Sequence, residues 1–203
     1  MGPGRAEPGL SLALGLEAGL GARLGDPLFV AKTGVGLLLG ARFEVLAVPE
    51  VAIGIAYEHR DLGSETTGML ASGTADIDHS AHVLSAVVRA YPARIPEVGG
   101  FLELGLGAAW QRVDARGVTW APGMPGGGRS FVCKGGDTAG FALRAALGAD
   151  VALGAGVRWL SAAGLDVARL GDDVLDSCAP GAGTTTGFAL RTGFAYLFDV
   201  SGG

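Results

Sequence analysis

Hydrophobic and polar positions alternate one by one through most of this chain. In the first segment Leu10, Leu12, Leu14, Leu16, Ala18, Leu20, Ala22 and Leu24 share one face of an extended ribbon. Ser11, Ala13, Gly15, Glu17, Gly19, Gly21 and Arg23 share the other. A period of two marks a β-strand with unlike faces. The pattern returns over 34–45, 51–60, 78–91, 102–111, 141–151, 157–167 and 187–198. Val35, Leu37, Leu39 and Phe43 oppose Gly36, Gly40, Arg42 and Glu44, for example, and Leu102, Leu104 and Leu106 oppose Glu103, Gly105 and Gly107. The fourth segment is blurred by Val83 and Val87, although Leu84, Ala86 and Val88 still oppose Ser85 and Arg89. Leu143, Leu147 and Val151 also fit a helical stripe, but the unbroken alternation and Gly148 favour a strand. The pattern predicts eight strands, each near the roughly 9–11 residues that cross a bilayer at a tilt.

The connections differ in length. Those around Pro49, Pro92 to Pro96, and Gly154 to Val157 are compact. Those over 61–76, 115–138 and 170–184 are longer and rich in Gly, Ser, Thr, Asp and Pro. The first, around Gly25 to Pro27, is a short exception. Short turns at one end and long loops at the other are the asymmetry of a membrane barrel.

Composition sharpens this picture. Charged residues make up 17%, hydrophobic residues 49%, and glycines number 37. Lysine occurs only at Lys32 and Lys134, which leaves too few long charged side chains to cover a water-exposed surface. A net charge of −5 gives no basic footprint for nucleic acid. No apolar run reaches the length of a membrane helix.

The second face of each ribbon is mostly glycine and alanine with isolated, nearly balanced charges. Glu17, Glu44, Glu58, Glu103, Asp150 and Asp166 stand with Arg23, Arg42, Arg60, Arg89, Arg144, Arg158 and Arg191. An eight-stranded barrel has an interior just wide enough for side chains. Glycines make room there for arginines, and buried arginines require carboxylates. The expectation is therefore a charge network in the lumen and leucines toward lipid. A soluble lipocalin-like barrel with the leucines inside is the alternative. Phe43, Tyr57, Trp110, Trp159, Phe194, Tyr196 and Phe198 fall on the proposed lipid face, as interfacial girdles do.

The last strand, Arg191-Thr192-Gly193-Phe194-Ala195-Tyr196-Leu197-Phe198, resembles the C-terminal signal read by the outer-membrane assembly machinery. Arg191, Gly193, Tyr196 and Phe198 match its defined positions, although the chain continues to Gly203. By pattern the whole chain resembles the small OmpA/OmpX-type outer-membrane barrels. The resemblance implies an all-β, eight-stranded, antiparallel, up-and-down transmembrane barrel, with short periplasmic turns and longer extracellular loops. It implies a Gram-negative bacterial outer membrane, lipids and the assembly machinery as partners, a closed lumen and a monomer. It implies no particular activity. Residues 1–9 are expected to be a flexible segment, 10–199 the barrel and 200–203 a tail. The LSLALGL run is short and alternating, so the expectation is a mature chain whose signal peptide has been removed.

Cys133 and Cys178 fall in long connections at the same end and are expected to form a disulfide in an oxidising compartment, two free thiols being the alternative. All three histidines cluster. A hairpin centred near Met69 would bring His59 to His79 beside Glu58, Asp76 and Asp78, a weak candidate for a metal site. A lipid-modifying enzyme using His59, His79 and His82 is the catalytic alternative, and a narrow pore a further one. No cofactor is expected. The leading expectation is a structural or surface-binding barrel whose loops meet an unknown extracellular ligand.

Overall fold

Strands with one apolar and one charge-bearing face bury the second only by curling it inward, and this chain does so completely. A computed structural model describes residues 10–24, 35–69, 73–94, 97–120, 128–136, 139–171, 173–176 and 178–200. The expected segment 1–9, the connection at Gly25–Pro27, residues 95–96 of the Pro92–Pro96 turn and residues 201–203 lie outside these. The elements are β1 (Leu10–Arg23), β2 (Val35–Val48), β3 (Val51–Met69), β4 (Gly73–Arg94), β5 (Val98–Trp120), β6 (Gly128–Gly136), β7 (Gly140–Gly154), β8 (Val157–Arg169), β9 (Val174–Leu175), β10 (Ala179–Pro180) and β11 (Thr184–Val200).

Antiparallel pairing runs β1-β2-β3-β4-β5-β7-β8-β11 and returns to β1. β6 and β7 both pair with β5, β6 along Arg112–Trp120 and β7 along Val98–Ala109, so together they fill one position. The ring therefore has eight positions, as the alternation predicts. The described turns sit with the chain ends. Val48 pairs with Val51, Gly154 with Val157, and Leu10 with Val200. Positive φ at both Ala155 (49°) and Gly156 (79°) gives the second of these turns the twist that a two-residue hairpin favours.

The apolar faces point out: Leu16, Leu104 and Leu147 are 69%, 66% and 63% exposed. The charges point in. Glu44, Glu58, Arg89, Glu103, Arg144 and Arg191 are buried. The outward aromatics divide toward the two rims. Phe43, Trp159, Phe194, Tyr196 and Phe198 lie toward the turn end, and Tyr57, Trp110, Phe141 and Phe188 toward the other.

Two of the expected loops are strands. Most of 61–76 belongs to β3 and β4, which pair from Gly63–His79 to Met69–Gly73, and most of 115–138 belongs to β5 and β6. The alternation continues past the Tyr57–Trp110 level with its polarity inverted. Asp76, Asp78, Arg112 and Arg116 face out, while Ala75, Ile77, Val113 and Ala115 are buried within. A strand whose outer face meets water and whose inner face packs a core has the composition of a loop, which is why its length was hidden.

Glycines let the wall close tightly where charges need room. A Cβ at Gly54, opposite Glu44, would lie 2.0 Å from the Phe43 carbonyl oxygen. We predict that Gly54→Val lowers resistance to urea unfolding in lipid vesicles by roughly 1–3 kcal/mol. The outward-facing change Ala86→Val is expected to be nearly silent in the same assay.

Candidate functional site

The lumen is built from side chains that the pleat turns inward from every position of the ring. Two linked clusters fill its middle. In the first, Arg42 donates to Glu17 (2.7 Å), Glu103 (3.0 Å) and Glu44 (3.1 Å). Arg89 donates to Glu103 (2.8 Å) and Glu44 (3.2 Å) and lies 3.6 Å from Glu17. In the second, Glu58 accepts from Arg60 (2.5 Å), Arg191 (2.7 Å) and Arg144 (2.8 Å). Asp166 pairs with Arg191, Arg144 and Arg60. Arg144 joins the clusters by reaching Glu103 at 3.4 Å. The described network thus sets five carboxylates against five guanidiniums. Planar guanidiniums suit this sharing, because each presents a fork of donors to several carboxylates. The register opens the space: Gly15 lies opposite Arg42, Gly40 opposite Glu58, Gly105 opposite Arg144 and Gly19 opposite Arg191.

Asp150 and Arg158 form a separate two-bond pair near the turn end, at 2.8 and 2.9 Å. Arg23 lies at the outer end of β1 opposite Gly187.

Apolar layers close the lumen above and below the charges. Toward the turns, Ala52, Tyr91, Phe101, Leu160 and Ala195 pack together. Phe101 places its ring 4.3 Å from the Arg89 guanidinium carbon, a cation–π contact at the layer boundary. Toward the opposite mouth, Ala81, Val83, Ala109, Ala142 and Ala168 receive Leu170 and Ala182, and Val113, Ala115 and Ile77 receive Leu175. Leu170, Leu175 and Ala182 belong to the connection carrying β9 and β10, which folds into the mouth as a plug. Gln111 clamps both ends of this plug: its amide nitrogen donates to Gly171 O (2.6 Å) and its oxygen accepts from Ala182 N (2.7 Å). Cys133 and Cys178 form a disulfide that ties the plug to β6. Cys133 lies on a strand rather than in the expected loop, because β6 extends the wall.

The expected pairing of His59 with His79 does not occur. The β3–β4 register sets His59 against His82, and a bulge between Asp61 and Gly63 sets His79 against Gly63. His79 is buried within the barrel, while His59 lies on the outer face with Tyr57 and His82. Tyr57 Oη lies 2.7 Å from His82 Nδ1, and His82 stacks on Trp110 at 5.7 Å. No group of three potential metal ligands converges among the described residues. His79 lies beyond the Tyr57–Trp110 level, where burial and then the Arg23 charge push its pKa down to about 4.

In β11, Arg191 and Gly193 face the lumen, and Tyr196 and Phe198 stack edge to face on the outer wall at 4.6 Å. Sequence reasoning missed the clamp and both apolar layers. Gln111 was visible as a lone amide on an inward face, but its partners lie 60 and 71 residues away.

A closed eight-stranded meander with an apolar outer wall and a salt-bridged interior is the architecture of the small outer-membrane β-barrels. Among solved structures, the chain is similar to Neisserial surface protein A, with 11% identity over 93% of this chain and 96% of that one, at a TM-score of 0.56. It is also similar to a major outer membrane protein from Thermus thermophilus, with 14% identity over 92% and 99% of the two chains, at a TM-score of 0.52. The likeness is one of fold. No protein-family model and no curated protein matches the chain.

Three outcomes follow from this interior. Asp150→Leu alone strands Arg158 and is expected to cost about 3–5 kcal/mol, whereas Asp150→Leu with Arg158→Met should cost clearly less; unfolding titrations on the single and double variants give the coupling. Gln111→Ala leaves the buried Ala182 N–H unmatched and removes one of the two donors to the Gly171 carbonyl, which keeps Gly183 N, so amides of the plug should exchange with solvent faster while those of β1 and β11 do not change. Neutral His79 stabilises the fold above its unfolded pKa near 6.5, and this part is lost as pH falls toward 4. Stability measured from pH 7 to 4 should therefore fall less steeply in His79→Gln than in wild type.

Proposed function

We propose that the chain is an integral barrel of the bacterial outer membrane that serves as a structural or surface-binding protein. The observation that carries this reading is the band of exposed leucines, isoleucines, valines and aromatics around a salt-bridged centre. In water such a band would be left uncovered, whereas hydrocarbon covers it without cost. The soluble lipocalin-like alternative needs these side chains inside, where the arginines and carboxylates stand instead.

The contacts available to a partner lie on the outer extension of β3, β4, β5 and β6, whose outward face carries Asp76, Asp78, Arg112, Arg116 and Lys134. The disulfide and the Gln111 clamp hold the plug beside it, giving a ligand a preorganised surface. A pore is disfavoured because two apolar layers and an ion-paired middle fill the lumen. Lipid hydrolysis is disfavoured because His79 faces away from His59 and His82. The assembly machinery would read Arg191, Gly193, Tyr196 and Phe198 on the final strand, and lipid would be the one partner common to the whole outer wall.

Refolding into phospholipid vesicles tests the reading. Protease should remove only parts beyond the Tyr57–Trp110 level, and planar-bilayer recordings should show no discrete conductance steps. A native monomer in detergent-free buffer would overturn it.

A further inference from the structure

The plug is held in the mouth at two depths. Its base lies deep, where the buried Gln111 bonds Gly171 O and Ala182 N, and where Leu170 and Ala182 pack into the alanine-rich layer. Its tip lies at the rim, where β9 and β10 pair through Leu175–Ala179 and Val174–Pro180.

Among the described residues, the tip meets the wall through fewer and more accessible groups. Leu175 packs against Ile77, Val113 and Ala115. Asp176 Oδ2 accepts from Gly136 N at 3.1 Å, in an exposed position where water competes. The Cys133–Cys178 disulfide joins the tip covalently to β6. The seat on β6 is close, since a Cβ at Gly135 would lie 2.6 Å from the Leu175 carbonyl oxygen. The tip is also bent against preference, because Asp176 holds a φ of 46°, a region that L residues rarely adopt. Without the disulfide, burial of Leu175 and one contested hydrogen bond must offset the ordering of the tip and its bent turn. Both cysteines are partly exposed, whereas Gln111 is enclosed. A thiol in solution therefore reaches the tether of the tip and leaves the clamp of the base untouched.

We propose that Cys133–Cys178 is a thiol-exchange site that controls the tip alone: reduction lets the tip leave the mouth while the base stays. The reductant is an external dithiol. Its thiolate attacks one sulfur, forming a mixed disulfide and releasing the other cysteine as a thiolate that takes up a proton. The second thiolate of the reductant then displaces the remaining cysteine and closes its own ring. Two electrons and two protons pass to the protein, which gains two thiols as the dithiol becomes a cyclic disulfide. Leu175 then lifts from Ile77, Val113 and Ala115, and the apolar inner face of the extension opens to water. This device is independent of whether the outward face of the extension meets a partner.

Hydrogen exchange read amide by amide by NMR, on the full chain in maltoside micelles with and without dithiothreitol, tests this. The Gly136 and Cys178 amides donate to the tip acceptors Asp176 Oδ2 and Leu175 O. Reduction should speed their exchange about tenfold or more, with Ala182, Gly183, β1 and β11 unchanged, and reoxidation should restore protection. The double variant Cys133→Ser with Cys178→Ser should show the fast pattern with or without reductant. A disulfide that resists dithiothreitol in the folded protein would overturn the proposal. So would Gly136 and Cys178 amides unchanged after reduction confirmed by thiol labelling, equal acceleration at Ala182, or lost protection in β1 and β11.

Discussion

The structure depends on one constraint: arginines and carboxylates inside a narrow cylinder have no solvent other than one another. Each buried ion loses several kilocalories per mole of hydration, and only dense mutual pairing offsets that loss. Glu58 shows how dense the pairing is, accepting from three guanidiniums on β3, β7 and β11. Such contacts brace the wall from inside, across strands that share no backbone hydrogen bonds. The glycines follow from the same constraint, because a long charged side chain fits only where its neighbour has none.

The apolar layers have a matching role. Above and below the charges, Leu170 with Ala182 and Phe101 with Tyr91 exclude the water that would screen the pairs. The interior is thus ordered along its axis as apolar, ionic, apolar. The outer wall is ordered in the opposite sense, leucine at the level of the ions and polar beyond them. At each level one face meets its own medium and the other meets the core, and the two change over together near Tyr57, His82 and Trp110.

Much of this was legible in the sequence because alternation is local. Eight ribbons, their lipid and luminal faces and the membership of the charge set can be read by counting every second residue. Pairing is not local: nothing near Arg144 indicates that it meets Glu58 rather than Glu17. The outer extension escaped for a different reason. A strand with aspartate at 76 and 78 and alanine at 75 looks like a loop unless the inversion of its faces is anticipated. The histidines failed on register, since a bulge after Asp61 and a turn later than Met69 put His79 and His59 on opposite faces.

Glu58 lies on the third position of the ring, and its partner Arg191 lies 133 residues later on the last. Until that final strand docks between β8 and β1, Glu58 and Asp166 each lack a guanidinium and the cylinder is charge-incomplete. A partly assembled sheet therefore keeps its inner surface hydrated, and the bath is expelled only at the step that also removes both free edges. Ring closure and electrical neutrality are, for this chain, a single event.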